Sequence, residues 1–382
     1  MPRDLDLVLF GATGFTGRLV AEYLGRRADK VRWAIAGRSA AKLAAVRDDL
    51  ALDVPVVIAD GDDPAALRAL CERTAVVIST VGPYQLHGSA LIAACAATGT
   101  SYVDLCGEPA WMRRMIDAHH DDAQRSGARI VFSCGFDSIP FDLGMLTLQE
   151  AALTRFGIPA PRVKARVRAM KGGFSGGTVA SLKATLAAAA RQPSLLALLS
   201  DPFALTPGHA GPHQPSGLLP EFDPTVNAWV APFIMAPINT KNVHRTNFLL
   251  GQPWGDIVYD EMVVTGLGDI GRAAAEALSK LNPFAGDKGP KPGDGPSQAE
   301  RDAGHFDILF AGLMPDGARI DAVVTGDSDP GYGCTSKMLA ESALCLLHDV
   351  DGPGGITTPG ASMGAALRTR LATHAGMTFT AG

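Results

Sequence analysis

Gly11, Gly14 and Gly17 stand three residues apart in Phe10-Gly11-Ala12-Thr13-Gly14-Phe15-Thr16-Gly17, between an apolar run and an amphipathic one. Glycines in that context let a strand turn sharply into a helix and bring backbone N–H groups up to a pyrophosphate, whose charge the helix N-terminus favours. Thr13, Phe15 and Thr16 belong to the same cofactor-facing turn. After the next apolar run comes Ala36-Gly37-Arg38-Ser39. A carboxylate there would take the ribose 2′-hydroxyl of NAD; instead Arg38 offers a planar fork to a 2′-phosphate, Ser39 a hydroxyl and Lys42 a further charge one turn on. NADP(H) is expected over NAD(H). Two later strand ends extend the crevice: Asp60 can meet the adenine amino group or serve its loop as a helix cap, and Thr80-Val81-Gly82-Pro83 can line the path to the nicotinamide.

Proton donors are sought near that end. Tyr84 and His87 lie in the loop Gly82-Pro83-Tyr84-Gln85-Leu86-His87-Gly88. Cys134-Gly135-Phe136-Asp137-Ser138-Ile139-Pro140 brings Asp137 and Ser138, which can orient nicotinamide or substrate, while Ser138 can equally cap the helix that follows. Tyr332, in Asp329-Pro330-Gly331-Tyr332-Gly333, is an acid candidate from the substrate side. Cys134 has no histidine tied to it by sequence and reads as a small buried residue. Residues 172–178, Gly-Gly-Phe-Ser-Gly-Gly-Thr, can hold a carboxylate or thioester oxygen on exposed N–H groups, or form a plain turn. No Ser/His/Asp set, phosphate-binding Walker loop or His/Cys metal cluster stands out, so no metal is expected.

The elements that must position these groups follow from periodicity. Short apolar runs at 6–10, 31–36, 54–59, 76–80, 102–105 and 129–133 alternate with helical spacing, the pattern of an α/β doubly wound parallel sheet, the Rossmann arrangement. After about residue 150 the pattern changes. Residues 162–170 alternate strictly, with Val163, Ala165, Val167 and Ala169 on one face, and so read as a half-exposed strand. Strands at 256–265, 306–313 and 318–325, the last two joined by Pro315-Asp316-Gly317, and helices at 179–200, 269–281 and 335–347 make a second, α+β domain with a mostly antiparallel sheet. Stretches 202–220 and 283–297 are rich in Pro and Gly and read as loops. The expected division is 1–150 for cofactor, 151–350 for substrate and dimerisation, and a tail at 351–382.

The chain's 382 residues suffice for two cores, and 47% hydrophobic with 19% charged residues fits a globular protein. A net charge of -5 gives no general attraction to nucleic acid. Six scattered cysteines and the lack of a signal-like start point to reduced thiols and a cytoplasmic location. The stretch 228–238 is too short to span a bilayer, yet apolar enough to rest against a lipid, leaving peripheral membrane contact open. A homodimer through the second sheet is the default assembly.

Beyond these physical readings, GATGFTG, the AGRS turn, STVGPY, YVDLCGE and CGFDSIPFD resemble the saccharopine dehydrogenase-like oxidoreductases. GGFSGGT, DPGYGCTSKMLAE and GGITTPGASMGAALRTRL are similar to their trans-acting enoyl reductase branch. The resemblance spans nearly the whole chain. It implies that NADPH reduces a carbon–carbon double bond of an acyl or polyketide-derived lipid intermediate, held on a partner synthase. It also implies that Gly11, Gly14, Gly17, Arg38, Thr80 and Gly82 contact cofactor and that residues from about Gly354 fold back on the first domain. The second domain lacks an Arg or Lys set for two amino-acid carboxylates, a departure from the saccharopine enzymes themselves. Two other readings stay open: an amino- or keto-acid dehydrogenase, and a catalytically silent NADP-binding sensor or scaffold.

Overall fold

A computed structural model describes residues 3–27, 31–173, 181, 184–185, 187, 191–192, 194–280 and 295–382. The first sheet holds β1 Leu5–Phe10, β2 Trp33–Gly37, β3 Val56–Ile58, β4 Thr74–Ser79, β5 Ser101–Asp104, β6 Arg129–Val131 and a late strand, β13 Gly355–Thr357. All are parallel, in the order β13-β6-β5-β4-β1-β2-β3. Both faces are covered, as the near-continuous apolar strands require. Leu7 and Leu9 enter one core layer and Val8 and Phe10 the other. Helices Phe15–Arg27 and Thr335–His348 pack together on the first face, and Pro64–Glu72, Ser89–Thr98 and Pro109–Ser126 cover the second.

The second sheet runs β14-β12-β11-β7-β10-β9-β8, with β7 Arg162–Lys171, β8 Glu221–Asp223, β9 Ala228–Pro232, β10 Val258–Gly266, β11 His305–Leu313, β12 Arg319–Gly326 and β14 Met377–Ala381. It is antiparallel except for the β7–β10 pair. The β11–β12 hairpin turns at Gly317, whose φ of 86° is the left-handed conformation a glycine adopts without strain. Helix Ile139–Phe156 crosses from the end of β6 to pack on β11, β12 and β14, and helix Ala236–Leu249 packs on it and on β10. At Gly144 a side chain would meet the Phe310 ring at 2.3 Å, so the helix lies directly on the strand.

Several expectations need correction. β7 alternates as read, but Arg166 is not half-exposed. It is fully buried, with Nε on Asp223 at 2.6 Å and Nη1 on Asp260 at 2.7 Å. Much of the stretch 228–238 is not surface: Val230, Ala231, Phe233 and Ile238 are buried in β9 and its junction to the next helix, while Ile234 is exposed. The tail does more than fold back. Its first strand joins the parallel sheet beside β6 and its last pairs with β12, so it edges both sheets. Helix Thr335–His348, read with the second domain, lies on the first sheet. Of the helix expected at 179–200, Ser194–Ser200 is described as one piece, and much of the rest lies outside the described residues, as do 174–178 and 283–294. Residues 202–220 form neither helix nor strand.

Candidate functional site

The glycine-rich turn is compressed to a single conformation. Gly11 has φ 99°, and its Cβ would stand 2.7 Å from both Thr80 Oγ1 and Val81 Cγ2. A Cβ on Gly17 would stand 2.1 Å from the Gly11 carbonyl oxygen, a contact no side chain makes. The Gly14 N–H donates to the Gly11 carbonyl at 3.0 Å, and the Thr80 N–H and hydroxyl donate to Phe10 O and Gly11 O at 3.0 Å each. The ends of β1 and β4 are thereby locked side by side, with Thr13 and Gly14 exposed and no acidic residue in the first turn of helix Phe15–Arg27. That end can cradle a pyrophosphate.

At the end of β2, Arg38 and Lys42 are exposed and make no ion pair among the described residues, while the Ser39 side chain accepts from the Lys42 N–H at 3.4 Å. The cradle and the two free cations fit a dinucleotide carrying a 2′-phosphate. Asp60 is exposed and accepts from the Asp62 N–H at 3.1 Å, the loop role; Asp63 caps the helix beyond it.

The expected nicotinamide end is laced across three strand ends. Glu108 accepts the N–H groups of Tyr84 and Gln85 at 2.9 and 2.8 Å, which holds the 82–87 loop. Asp104 accepts from the N–H groups of Cys106 and Ser133 at 3.0 Å each and from the Tyr102 hydroxyl at 3.0 Å; burial nonetheless pushes its carboxyl up to about 7. Ser181 lies 3.6 Å from a Cβ built on Gly82, and Gln85 Nε2 donates to Thr185 Oγ1 at 3.3 Å, so these two residues lie beside the Gly82–Pro83 loop.

Tyr84 and His87 do not converge here. Tyr84 is buried and its hydroxyl donates to Ser79 O at 3.0 Å, which suits packing rather than proton donation; burial also raises its pKa well above the usual phenol value. His87 is exposed at the end of its short helix. Asp137 is different. It is half-buried, its Oδ2 lies 3.7 Å from a Cβ built on Gly107, and it has no hydrogen-bond partner among the described residues. Burial alone pushes its carboxyl up to about 7. Ser138 is buried and does not cap its helix through the side chain; its hydroxyl instead accepts from Asn242 Nδ2 at 2.8 Å.

The second sheet closes the cleft through Asp329, which gathers two of the motif loops. Its carboxylate accepts from the N–H groups of Tyr332 at 2.8 Å, Gly333 at 3.0 Å and Gly173 at 3.2 Å. Tyr332, buried, packs edge-on against Phe15 with ring centroids 5.2 Å apart, and Arg301 lies over the same Phe15 ring. The DPGYG loop thus rests on the cofactor turn. Thr335, just after it, accepts the Phe136 N–H at 2.9 Å beside Asp137.

The sequence reading missed helix Ala236–Leu249 and its polar inner face. Asn239 Nδ2 donates to Glu261 Oε2 at 2.9 Å, the Tyr259 hydroxyl donates to Glu261 Oε1 at 2.9 Å, and burial raises the Glu261 pKa well above the usual carboxylate value. Thr246 donates to Asp142, which also accepts the Gly360 N–H at 2.6 Å; burial pushes Asp142 up to about 7. All six cysteines are buried with free thiols.

Known proteins bear on this arrangement directly. Residues 7–131 match the saccharopine dehydrogenase NADP-binding domain. A Mycobacterium tuberculosis protein named as a trans-acting enoyl reductase is 42% identical over 97% of this chain and 96% of its own. The chain belongs to the trans-acting enoyl reductase branch of the saccharopine dehydrogenase-like oxidoreductases. A Mycobacterium ulcerans member named trans-acting enoyl reductase is 36% identical over the same shares of the two chains. The fold agrees with that of saccharopine dehydrogenase (L-Glu forming) from Saccharomyces cerevisiae, at a TM-score of 0.58 and 12% identity over 99% of each chain. The family member described here is an NADP-dependent oxidoreductase with NADP as its cofactor. No described helix is long and apolar enough to cross a membrane.

Proposed function

We propose that this oxidoreductase reduces the carbon–carbon double bond of an acyl or polyketide-derived lipid intermediate presented by a partner synthase. The substrate class comes from the relatives' names. The observation that carries the cofactor half of the reading is the pair Arg38 and Lys42, exposed and, among the described residues, free of carboxylates beside the compressed Gly11–Gly17 turn. Bound NADPH supplies the hydride.

The chain's own residues do the rest. The turn around Gly11, Gly14 and Gly17 receives the pyrophosphate and Arg38, Ser39 and Lys42 the 2′-phosphate, while Thr80 to Pro83 flank the nicotinamide. Asp137, held near neutrality by burial and tied to no partner among the described residues, delivers the proton to the substrate carbon that does not take hydride. Tyr332 forms a wall against Phe15 in this scheme and is not the acid. The division into a cofactor segment at 1–150, a substrate and dimerisation segment at 151–350 and a tail at 351–382 belongs to the same proposal, with helix Thr335–His348 lent back to the first sheet.

Separate titrations of NADPH and NADH, followed by nicotinamide fluorescence in wild type and Arg38→Ala, test the cofactor half. Charge-assisted contacts of a guanidinium with phosphate contribute about 1.5–3 kcal/mol, so NADPH should bind roughly 10–100-fold more weakly in the variant, with NADH little changed. Equal losses for both cofactors would sink the Arg38 assignment. Turnover of amino or keto acids in place of enoyl thioesters would overturn the substrate.

A further inference from the structure

Helices Pro109–Ser126 and Ala236–Leu249 enclose a cavity of about 330 Å³ that shares no residue with the nucleotide cleft. Ile116, Phe248 and Leu249 give it apolar walls, and Arg245 and His120 face it as polar groups. Arg245 is only 2% exposed. Two of its nitrogens donate to the carbonyls of Leu205 and Ile356, its Nε has no partner, and no carboxylate pairs with it among the described residues. Lys241, one turn earlier, is also buried, and its Nζ donates to the Leu199 carbonyl at 2.9 Å. A buried cation with carbonyl partners alone leaves its charge uncompensated, an expensive arrangement unless an anion arrives.

Among the described residues no carboxylate reaches the Arg245 guanidinium. Asp117, on the cavity wall, is taken by Arg113, whose Nε reaches both of its oxygens at 2.8 and 2.9 Å. Burial above all, with the Arg113 charge and against that of Asp117, lowers the Arg245 pKa to about 10, and burial with Lys241 and His209 lowers His244 to about 3. His120 Nδ1 accepts the Ile356 N–H at 3.1 Å, so the neutral ring carries its proton on Nε2 and has a donor to give. The cavity also holds Asp121, exposed, which opposes a second negative charge on a ligand.

We infer that this cavity binds a small monocarboxylate with an apolar tail, its carboxylate on Arg245 and His120 and its tail against Ile116, Phe248 and Leu249. The inference is independent of the proposed reduction. Hexanoate is the probe, titrated by calorimetry into the full chain saturated with NADPH. Hexanoate should bind, and Leu249→Trp, which fills the cavity from a half-buried position, should weaken it at least about ten-fold with NADPH affinity unchanged. Arg245→Met should do the same; if that variant fails to fold, the tryptophan variant still decides. Absence of hexanoate binding, binding that Leu249→Trp leaves intact, hexanol binding as well as hexanoate, or inorganic phosphate binding more tightly would each overturn the assignment.

Discussion

Asp137→Asn is the sharpest test of the chemistry assigned to the cleft. Burial lifts the Asp137 carboxyl from 3.8 to about 7, and no donor among the described residues offsets it. Such a group is roughly nine-tenths protonated at about pH 6 and roughly one-tenth at about pH 8. If it gives the proton, kcat/KM falls roughly ten-fold across that interval, because the acid form is the active one and is lost as pH rises through the folded pKa. The asparagine keeps the side chain's size and removes the proton, so turnover should drop by about 10²–10⁴, the usual contribution of a positioned acid. The pH limb near neutrality should vanish with it. Single-turnover oxidation of NADPH by an enoyl thioester isolates this step from product release, and fluorescence titration should show NADPH affinity unchanged within about two-fold. A variant within about three-fold of wild type, or one that slows but keeps the limb, would refute the role.

Gly17→Ala drives a methyl group into the Gly11 carbonyl, 2.1 Å away, and should abolish measurable NADPH binding while circular dichroism still reports a folded chain; retained binding would mean the turn is looser than described. Tyr332→Phe should keep turnover, because the edge-on contact with Phe15 survives, whereas Tyr332→Ala should weaken NADPH by roughly 2–10-fold, the worth of an aromatic pair; a collapse of turnover in Tyr332→Phe would hand the proton to Tyr332. Asp142 is buried and its pKa is raised from 3.8 to about 7, so the folded state binds its proton more tightly than the unfolded chain. Its contribution is fully present below about pH 4 and lost as pH rises to about 7, on the order of a few kcal/mol. Asp142→Asn should flatten the decline of Tm between about pH 5 and pH 8, and an unchanged slope would count against the shift.

The parallel sheet was legible because its signals are local. Apolar runs such as Leu7–Phe10 place alternate residues in the two core layers, and the glycine spacing declares its turn without reference to anything distant. Arg38 was legible for the same reason: what mattered was the absent carboxylate at a strand end. Asp137 was visible as a candidate, but its distinction from Tyr84 was not, since it depends on which hydroxyl finds a carbonyl. Asn239, Asn242 and Glu261 gave no sign at all. Polar residues within a helix or strand ordinarily face water, and these are buried because helix Ala236–Leu249 lies between helix Ile139–Phe156 and β10. β13 and β14, three and five residues long, carry too little pattern to be read, and each acquires its role by pairing with a distant strand.

The exchange of helices between the two sheets explains why the site can be rigid although it is assembled from both. The chain leaves β6 through Cys134 to Ser138, crosses in helix Ile139–Phe156 to the second sheet, and returns by helix Thr335–His348 onto β4 and β5. The two crossings meet where Thr335 accepts the Phe136 N–H and donates to the Pro330 carbonyl at 2.7 Å. Asp137 therefore sits one residue from a joint that also anchors the loop carrying Tyr332, and Tyr332 rests on the cofactor turn. Cores of the two sheets are continuous across this joint, from Leu9 and Val103 through Phe136 and Phe141 to Phe306 and Phe310. Close-packed interiors do not deform gradually. On the proposed assignment of Asp137 as proton donor, donor and cofactor cradle are tied to the same packed joint and keep their mutual geometry without any one contact having to be strong, which is what proton delivery in step with hydride transfer requires.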